Sequence, residues 1–276
     1  MLKQRLLKII IYTYLIITAL IVLYPLVYII SSAFTPGRNI SDMPLVPFGH
    51  GVTLDNFITL FRDTDYLIWF RNSFIIALST SASTIVVCTL AAYVFSRFRF
   101  VLKKGLMLTL LILQVFPSVL GMVAIYVTML RIGGLNTLWG LVIFYVAGNV
   151  PFNTWLVKSY MDTIPRSLDE AARMDGASSY RTFISVILPV AKPIITFLAV
   201  VSFTAPWMDF IIPRMVLRTA ETRTLALGLL AFISARTAQD FTSFTAGALL
   251  VAVPFIIYFT ITQKSLITSL GGAVKE

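Results

Sequence analysis

Between Lys158 and Lys192 the chain carries five basic and four acidic side chains, in a sequence of which only 12% is charged. The centre of this segment, Glu170 to Pro189, reads EAARMDGASSYRTFISVILP. The chemistry such residues can do is ionic docking. Ile164-Pro165 should end the helix before it, because the residue before a proline is driven to extended backbone. Ser167 stands three residues before Glu170, the spacing of a capping box in which each side chain bonds the other's backbone N–H. Leu168–Asp175 is then about two helical turns, roughly 12 Å long. Gly176 can leave that helix in the left-handed conformation. A second helix, about Ser178–Leu188, follows, with Pro189 after it. Ala171, Ala172 and Ala177 permit close approach of another backbone. An amphipathic helix on lipid headgroups would account for Arg173 and Arg181. The alanines offer little apolar area to insert, which favours a protein partner. Glu170 has two candidate roles, helix cap or contact with a basic residue of that partner, and a carboxylate has oxygens for both.

Other reactive groups are sparse. His50 and Cys88 are the only residues of their types. Neither has companions for a metal site, and one cysteine cannot form an internal disulfide. No HExxH pattern, nucleophile elbow or carboxylate cluster occurs. No G-x-x-x-x-G-K-[ST] phosphate loop occurs either, so any ATP must be bound by another chain. The sequence therefore predicts no catalytic residue, no metal and no cofactor held by this chain. Gln114, Asn149, Asn153 and Trp207 could line a solute pathway, and interhelical packing explains them equally well. Asp209 is the one acidic candidate for coupling to an ion gradient. It keeps open a second class of function, a secondary transporter or channel not driven by ATP.

The elements that must position these groups are membrane helices. Hydrophobic residues make up 58% of the 276 residues and charged residues 12%, about half the charged share of a soluble domain. Uncharged runs cover Ile9–Gly37, Asn72–Ser96, Gly105–Leu130, Ile132–Val157, Pro193–Met208 and Phe241–Gln263. A spanning helix needs about 20 apolar residues, which predicts an all-α membrane protein with six transmembrane helices. Their expected limits are about 9–33, 72–95, 106–130, 137–157, 193–213 and 243–263. Pro117, Pro206 and Pro254 should break the third, fifth and sixth, since proline removes a backbone donor. With both termini cytoplasmic, 14 of the 22 basic residues lie inside, giving net charges of +9 inside and +1 outside. That asymmetry fits the positive-inside rule. The total of +10 is thus a topology signal and points to membrane lipid, not nucleic acid. Residues 35–70 form the longest outside loop, whose aromatics Phe57, Phe61, Tyr66, Trp69 and Phe70 could form an interfacial belt.

The polar segment also carries a resemblance. Glu170-Ala171-Ala172, three residues, Gly176, nine residues, then Val186-Ile187-Leu188-Pro189 follows the EAA pattern of ABC importer permeases, with Val for Ile as its one departure. The surrounding FNTWLVKSYMDTIPRSLDEAARMDGASS, PWMDFIIPRMVLR, TLALGL and SLGGAVKE resemble the carbohydrate branch. Within that branch they are similar to the shorter permease subunit of maltose/maltodextrin importers. The likeness covers about Trp69–Glu276, with a permease core over about 71–264 and a coupling loop over 163–189. The resemblance implies type I ABC importer permease architecture and transport of maltose, maltodextrin or a related oligosaccharide. Its implied partners are a second permease subunit, a cytoplasmic ABC ATPase dimer holding ATP and Mg, and an extracytoplasmic sugar-binding protein. It assigns ATPase docking to Glu170, Ala171, Ala172, Asp175, Gly176, Leu188 and Pro189. Loop 213–242 resembles one that probes the binding protein, and the tail 269–276 one that reaches the ATPase. The implied location is the cytoplasmic (inner) membrane, crossed several times.

Overall fold

The computed structural model describes residues 2–115, 121–234 and 240–272. Every regular element among these residues is helical. The helices are α1 (Leu2–Phe34), α2 (Asp55–Arg62), α3 (Tyr66–Arg97), α4 (Lys103–Val115), α5 (Met122–Arg131), α6 (Leu138–Thr163), α7 (Ser167–Met174), α8 (Ser179–Thr182), α9 (Leu188–Val190), α10 (Lys192–Met208), α11 (Ile211–Val216), α12 (Leu225–Ser234) and α13 (Phe241–Gly272). Four are long and apolar enough to cross a membrane, in α1, α3, α6 and α13. A fifth crossing is available if Ser179–Val190 and Lys192–Met208, bent by 78°, count as one broken span. The third expected span, 106–130, corresponds to the shorter helices α4 and α5. Pro117 lies outside the described residues. Pro206 and Pro254 sit within continuous helices, where the tertiary surroundings override proline's tendency to break them.

The chain divides into two compact units, residues 1–67 with 228–254, and residues 68–227 with 255–276. In the first unit, α1 exposes apolar side chains all along Leu6–Ile30, so it needs lipid or another chain around it. The segment after it is well organised. Buried Asn56 donates to the carbonyls of Ala33 and Thr35, both at 2.9 Å. Phe241 N–H donates to Arg38 O at 2.7 Å, and Thr242 Oγ1 to Gly37 O at 2.8 Å. Asp42 accepts from the N–H groups of Asn39 and Arg38 at 2.9 Å, and these bonds hold its carboxyl below the usual range. The expected aromatic belt is not formed throughout: Tyr66 is buried and donates to Gly247 O at 3.2 Å. Burial of the ring body with its hydroxyl satisfied is the lower-energy use of a tyrosine. Trp69, in the second unit, is buried as well.

The second unit has two apolar clusters. One joins α3, α6, the segment after Ser179 and α10 through Cys88, Ala92, Tyr93, Val157, Met161, Ile164, Phe183, Ile187 and Leu198. The other joins α3, α5, α6 and α11 through Ile76, Met129, Leu141, Tyr145, Ile212 and Val216. Beside it, Asn72 at the start of α3 is fully buried and donates to Glu221 O at 2.8 Å and Arg223 O at 2.9 Å. Ser73 Oγ accepts from Leu225 N–H at 2.7 Å. Asn72→Leu would strand both carbonyls. It is expected to cost about 2 kcal/mol, read as a lower Tm in detergent and faster proteolysis at Arg218 and Arg223.

Candidate coupling site

The segment 163–190 folds as a sequence of stops and starts that local rules explain. Ile164, held extended before Pro165, ends α6 (φ −74°, ψ 122°). Helix α7 then starts at Ser167, with Arg166 at its N-cap position and no capping side chain. The expected Ser167–Glu170 capping box is therefore absent. Ser167 is already helical, and Glu170 N–H donates to Arg166 O at 3.0 Å, so the donor a cap would have satisfied is taken. The C-terminus closes as a Schellman motif: Ala177 N–H donates to Ala172 O, and Gly176 N–H to Arg173 O, both at 2.9 Å. Gly176 has φ +78°, the left-handed conformation that motif requires. Ser178 caps the next helix through Arg181 N–H at 3.3 Å. Phe183–Ile187 forms a π-helical turn, a rare insertion that rotates the side chains beyond it. The 78° bend into α10 follows at buried Ala191.

Asp169 and Glu170 are neighbours on α7, about 100° apart around its axis, and only one can face inward. Asp169 is buried and Glu170 exposed. Asp169 Oδ2 lies 3.0 Å from Arg97 Nε, with side-chain exposures of 8% and 5%. This is an ion pair whose N–H direction is off line for a hydrogen bond, and neither Asp169 oxygen accepts one from the described residues. Arg97, the last residue of α3, also donates from Nη2 to Ile164 O at 3.0 Å and from Nη1 to Ser96 Oγ at 3.4 Å. Ser96 Oγ donates to Asp162 Oδ1 at 2.7 Å, and Lys158 pairs with the other Asp162 oxygen. Tyr93 O–H donates to Ser179 O at 3.1 Å.

The outward face of α7 is different. The Glu170 side chain makes no hydrogen bond or ion pair with any described residue. With Arg97, Arg166, Asp169 and Arg173 it lines a small cleft of about 90 Å³. Ala171, Met174, Asp175 and Gly176 are exposed, and Ala172 and Ala177 half-buried. Of the last two residues assigned to docking, Leu188 is half-buried against the first apolar cluster, and Pro189 is exposed.

The expected pathway residues lie on three helices, α4, α6 and α10. Gln114 is exposed on α4. Asn153 is buried on α6 and donates to Asn149 O at 2.8 Å, one turn back. Asn149 Nδ2 and Asn153 Oδ1 are buried without a hydrogen-bond partner among the described residues. Trp207 is buried between Phe70 and Phe203, each with ring centroids 5.5 Å away. Asp209 lies two residues before α11, and its carboxylate accepts from Ile211 N–H and Tyr145 O–H, both at 2.8 Å. His50 Nδ1 lies 3.0 Å from Asp42 O in an exposed loop, and Cys88 is fully buried.

Sequence reasoning counted Arg97 only as an inside charge. The signal that could have marked it is the pair Asp169-Glu170, whose inward member needs a cation from another helix.

A family model for the binding-protein-dependent transport system inner membrane component matches residues 84–266. The maltodextrin transport system permease protein of Bacillus subtilis (strain 168) is 40% identical over 267 residues, covering 96% of this chain and 95% of that protein. The galactooligosaccharides transport system permease protein of the same organism is 38% identical, covering 92% and 91%. A crystal structure of a bacterial ABC transporter involved in alginate import shares the fold with TM-score 0.81 and 22% identity, covering 95% of this chain and 97% of that one. The matched region takes in the whole of the segment 163–190 and the α3 turn that grips it, and on this evidence the chain belongs to the binding-protein-dependent transport system inner membrane component family.

Proposed function

We propose that this chain is a transmembrane permease subunit of an ATP-driven, binding-protein-dependent sugar importer of the cytoplasmic membrane. It crosses the membrane six times, both termini are cytoplasmic, and its sugar is maltodextrin or a related oligosaccharide. It forms half of the translocation pathway with a second permease. A cytoplasmic ATPase dimer, holding ATP and Mg, docks on α7, and an extracytoplasmic binding protein delivers the sugar. The sugar class is supported by the relatives named for maltodextrin and galactooligosaccharides.

The single observation that carries the coupling role is the contrast between Asp169 and Glu170. The first is consumed inside the chain; the second projects from a helix fixed at both ends and has no partner in the described chain. An unpaired charge carried on a fixed helix is suited to pair with a cation on another subunit. It loses little freedom on docking. Coupling to an ion gradient through Asp209 is disfavoured, because both its oxygens already accept hydrogen bonds from Tyr145 and Ile211.

Glu170→Gln tests the reading. It keeps the side chain's size and helix propensity and removes its charge. ATP-driven sugar uptake by the assembled transporter is expected to fall about tenfold, the scale of a charge-assisted bond worth 1.5–3 kcal/mol. Wild-type uptake with wild-type ATPase stimulation would exclude a charge-pair role for Glu170.

A further inference from the structure

Three side chains on the last turn of α3 grip three different parts of the segment that follows α6. Tyr93, Ser96 and Arg97 are spaced i, i+3 and i+4, which puts them on one helix face. Tyr93 holds Ser179, the first residue of α8. Ser96 holds Asp162, near the end of α6. Arg97 holds Asp169 in α7 and Ile164 in the link between α6 and α7. The contacts therefore reach both sides of the Gly176 bend from a single point.

We infer that this turn of α3 is a second mechanical anchor of α7, with Arg97 as the positioning residue. Displacement of α7 then enters the membrane domain through α3 as well as through the covalent path to α10. The inference rests on the proposed ATPase-coupled function and deepens it. The covalent path alone transmits force poorly, since it runs through the Gly176 turn, a π-helical insertion and a 78° bend. The route through Arg97 is shorter, and where it meets Asp169 it is a buried ion pair. A guanidinium presents a rigid planar fork of donors, and this one is buried with its partner, where solvent screens little. Its bonds to Ile164 O and Ser96 Oγ leave it few orientations.

The test separates positioning from simple stabilisation. In the complete transporter, with second permease, ATPase and binding protein, Arg97→Gln with Asp169→Asn removes both charges and strands neither. Sugar imported per ATP hydrolysed is expected to fall about tenfold, within the usual range of coupling between sites. Arg97→Lys, which keeps the ion pair, should retain most of that ratio. A wild-type ratio in the double variant would overturn the inference. So that a failure to assemble does not decide the matter, spin labels at Val94→Cys and Ser167→Cys in a Cys88→Ala background report the α3–α7 distance directly. Both labelled sites are exposed. An equal distance in the nucleotide-free and ATP-trapped states is expected. A change of about one helical turn, ~5 Å, would overturn the anchor. If the wild-type complex shows no ATP-dependent uptake at all, the proposed function fails first, and the inference with it.

Discussion

Arg97→Ala is expected to lower the unfolding free energy in detergent by about 3–5 kcal/mol, the range for removing one partner of a buried ion pair. The size follows from what is left behind. Asp169 is 6% exposed and accepts no aligned hydrogen bond from the described residues, so Arg97 is its principal compensation. A stranded carboxylate must either draw in water or expel α7 from its seat. Ile164 O loses its donor at the same time. The double variant Arg97→Ala/Asp169→Ala should be less destabilised than Arg97→Ala alone, because the stranded charge is gone. Thermal unfolding of the single and double variants measures this as a coupling energy. Additive effects would mean that the ion pair contributes nothing of its own.

Gly140→Ala is expected to destabilise by about 1–3 kcal/mol, the usual cost of overpacking, and towards the upper end of it. A Cβ at position 140 would lie 2.2 Å from Gly134 O, 2.9 Å from its carbonyl carbon and 3.0 Å from its Cα. All three are backbone atoms, so no side chain can rotate out of the way. The neighbourhood is tied on both sides. Gly134 N–H donates to Met129 O at 2.8 Å, while Thr137 Oγ1 donates to Gly134 O at 2.8 Å and caps Gly140 N–H at 3.2 Å. The turn between α5 and α6 is thus pinned where it crosses the first turn of α6. Gly148, in the same helix, provides the control. A Cβ there meets nothing within 4 Å, and Gly148→Ala should be neutral or stabilising by up to about 1 kcal/mol. Equal unfolding temperatures for the two variants would contradict the steric account.

Much of α7's surroundings was legible in the sequence because the rules that shape it are local. Pro165 ends α6 through a clash with its own neighbour, and Gly176 supplies a left-handed residue wherever its helix lies. The capping box failed for an instructive reason. It demanded that Ser167 remain non-helical, but α7 starts one residue earlier, and Glu170 N–H bonds Arg166 O. An exposed carboxylate without a cap to serve is left free, which a competition between two local motifs could not settle.

The possible pathway residues show what residue type leaves open. Gln114, Asn149, Asn153 and Trp207 were chosen for residue type, and type does not say which way a helix turns. Trp207 faces an aromatic stack with Phe70 and Phe203, and Asn153 folds back on its own helix. Asp209, a candidate ion-coupling group by composition, has both oxygens engaged by Ile211 N–H and Tyr145 O–H.

The sequence by itself determined that this is a helical chain made for lipid, and that Pro165 and Gly176 bound the short helix α7. Hydropathy, proline and glycine act within a few residues, so they can be read along the line. Only the tertiary structure decided that Asp169 turns in and Glu170 out, and that Arg97, some seventy residues earlier, holds the inward one. Burying one acid of an adjacent pair is favourable only where a distant cation already waits. That cation is supplied by the packing of α3 against α7.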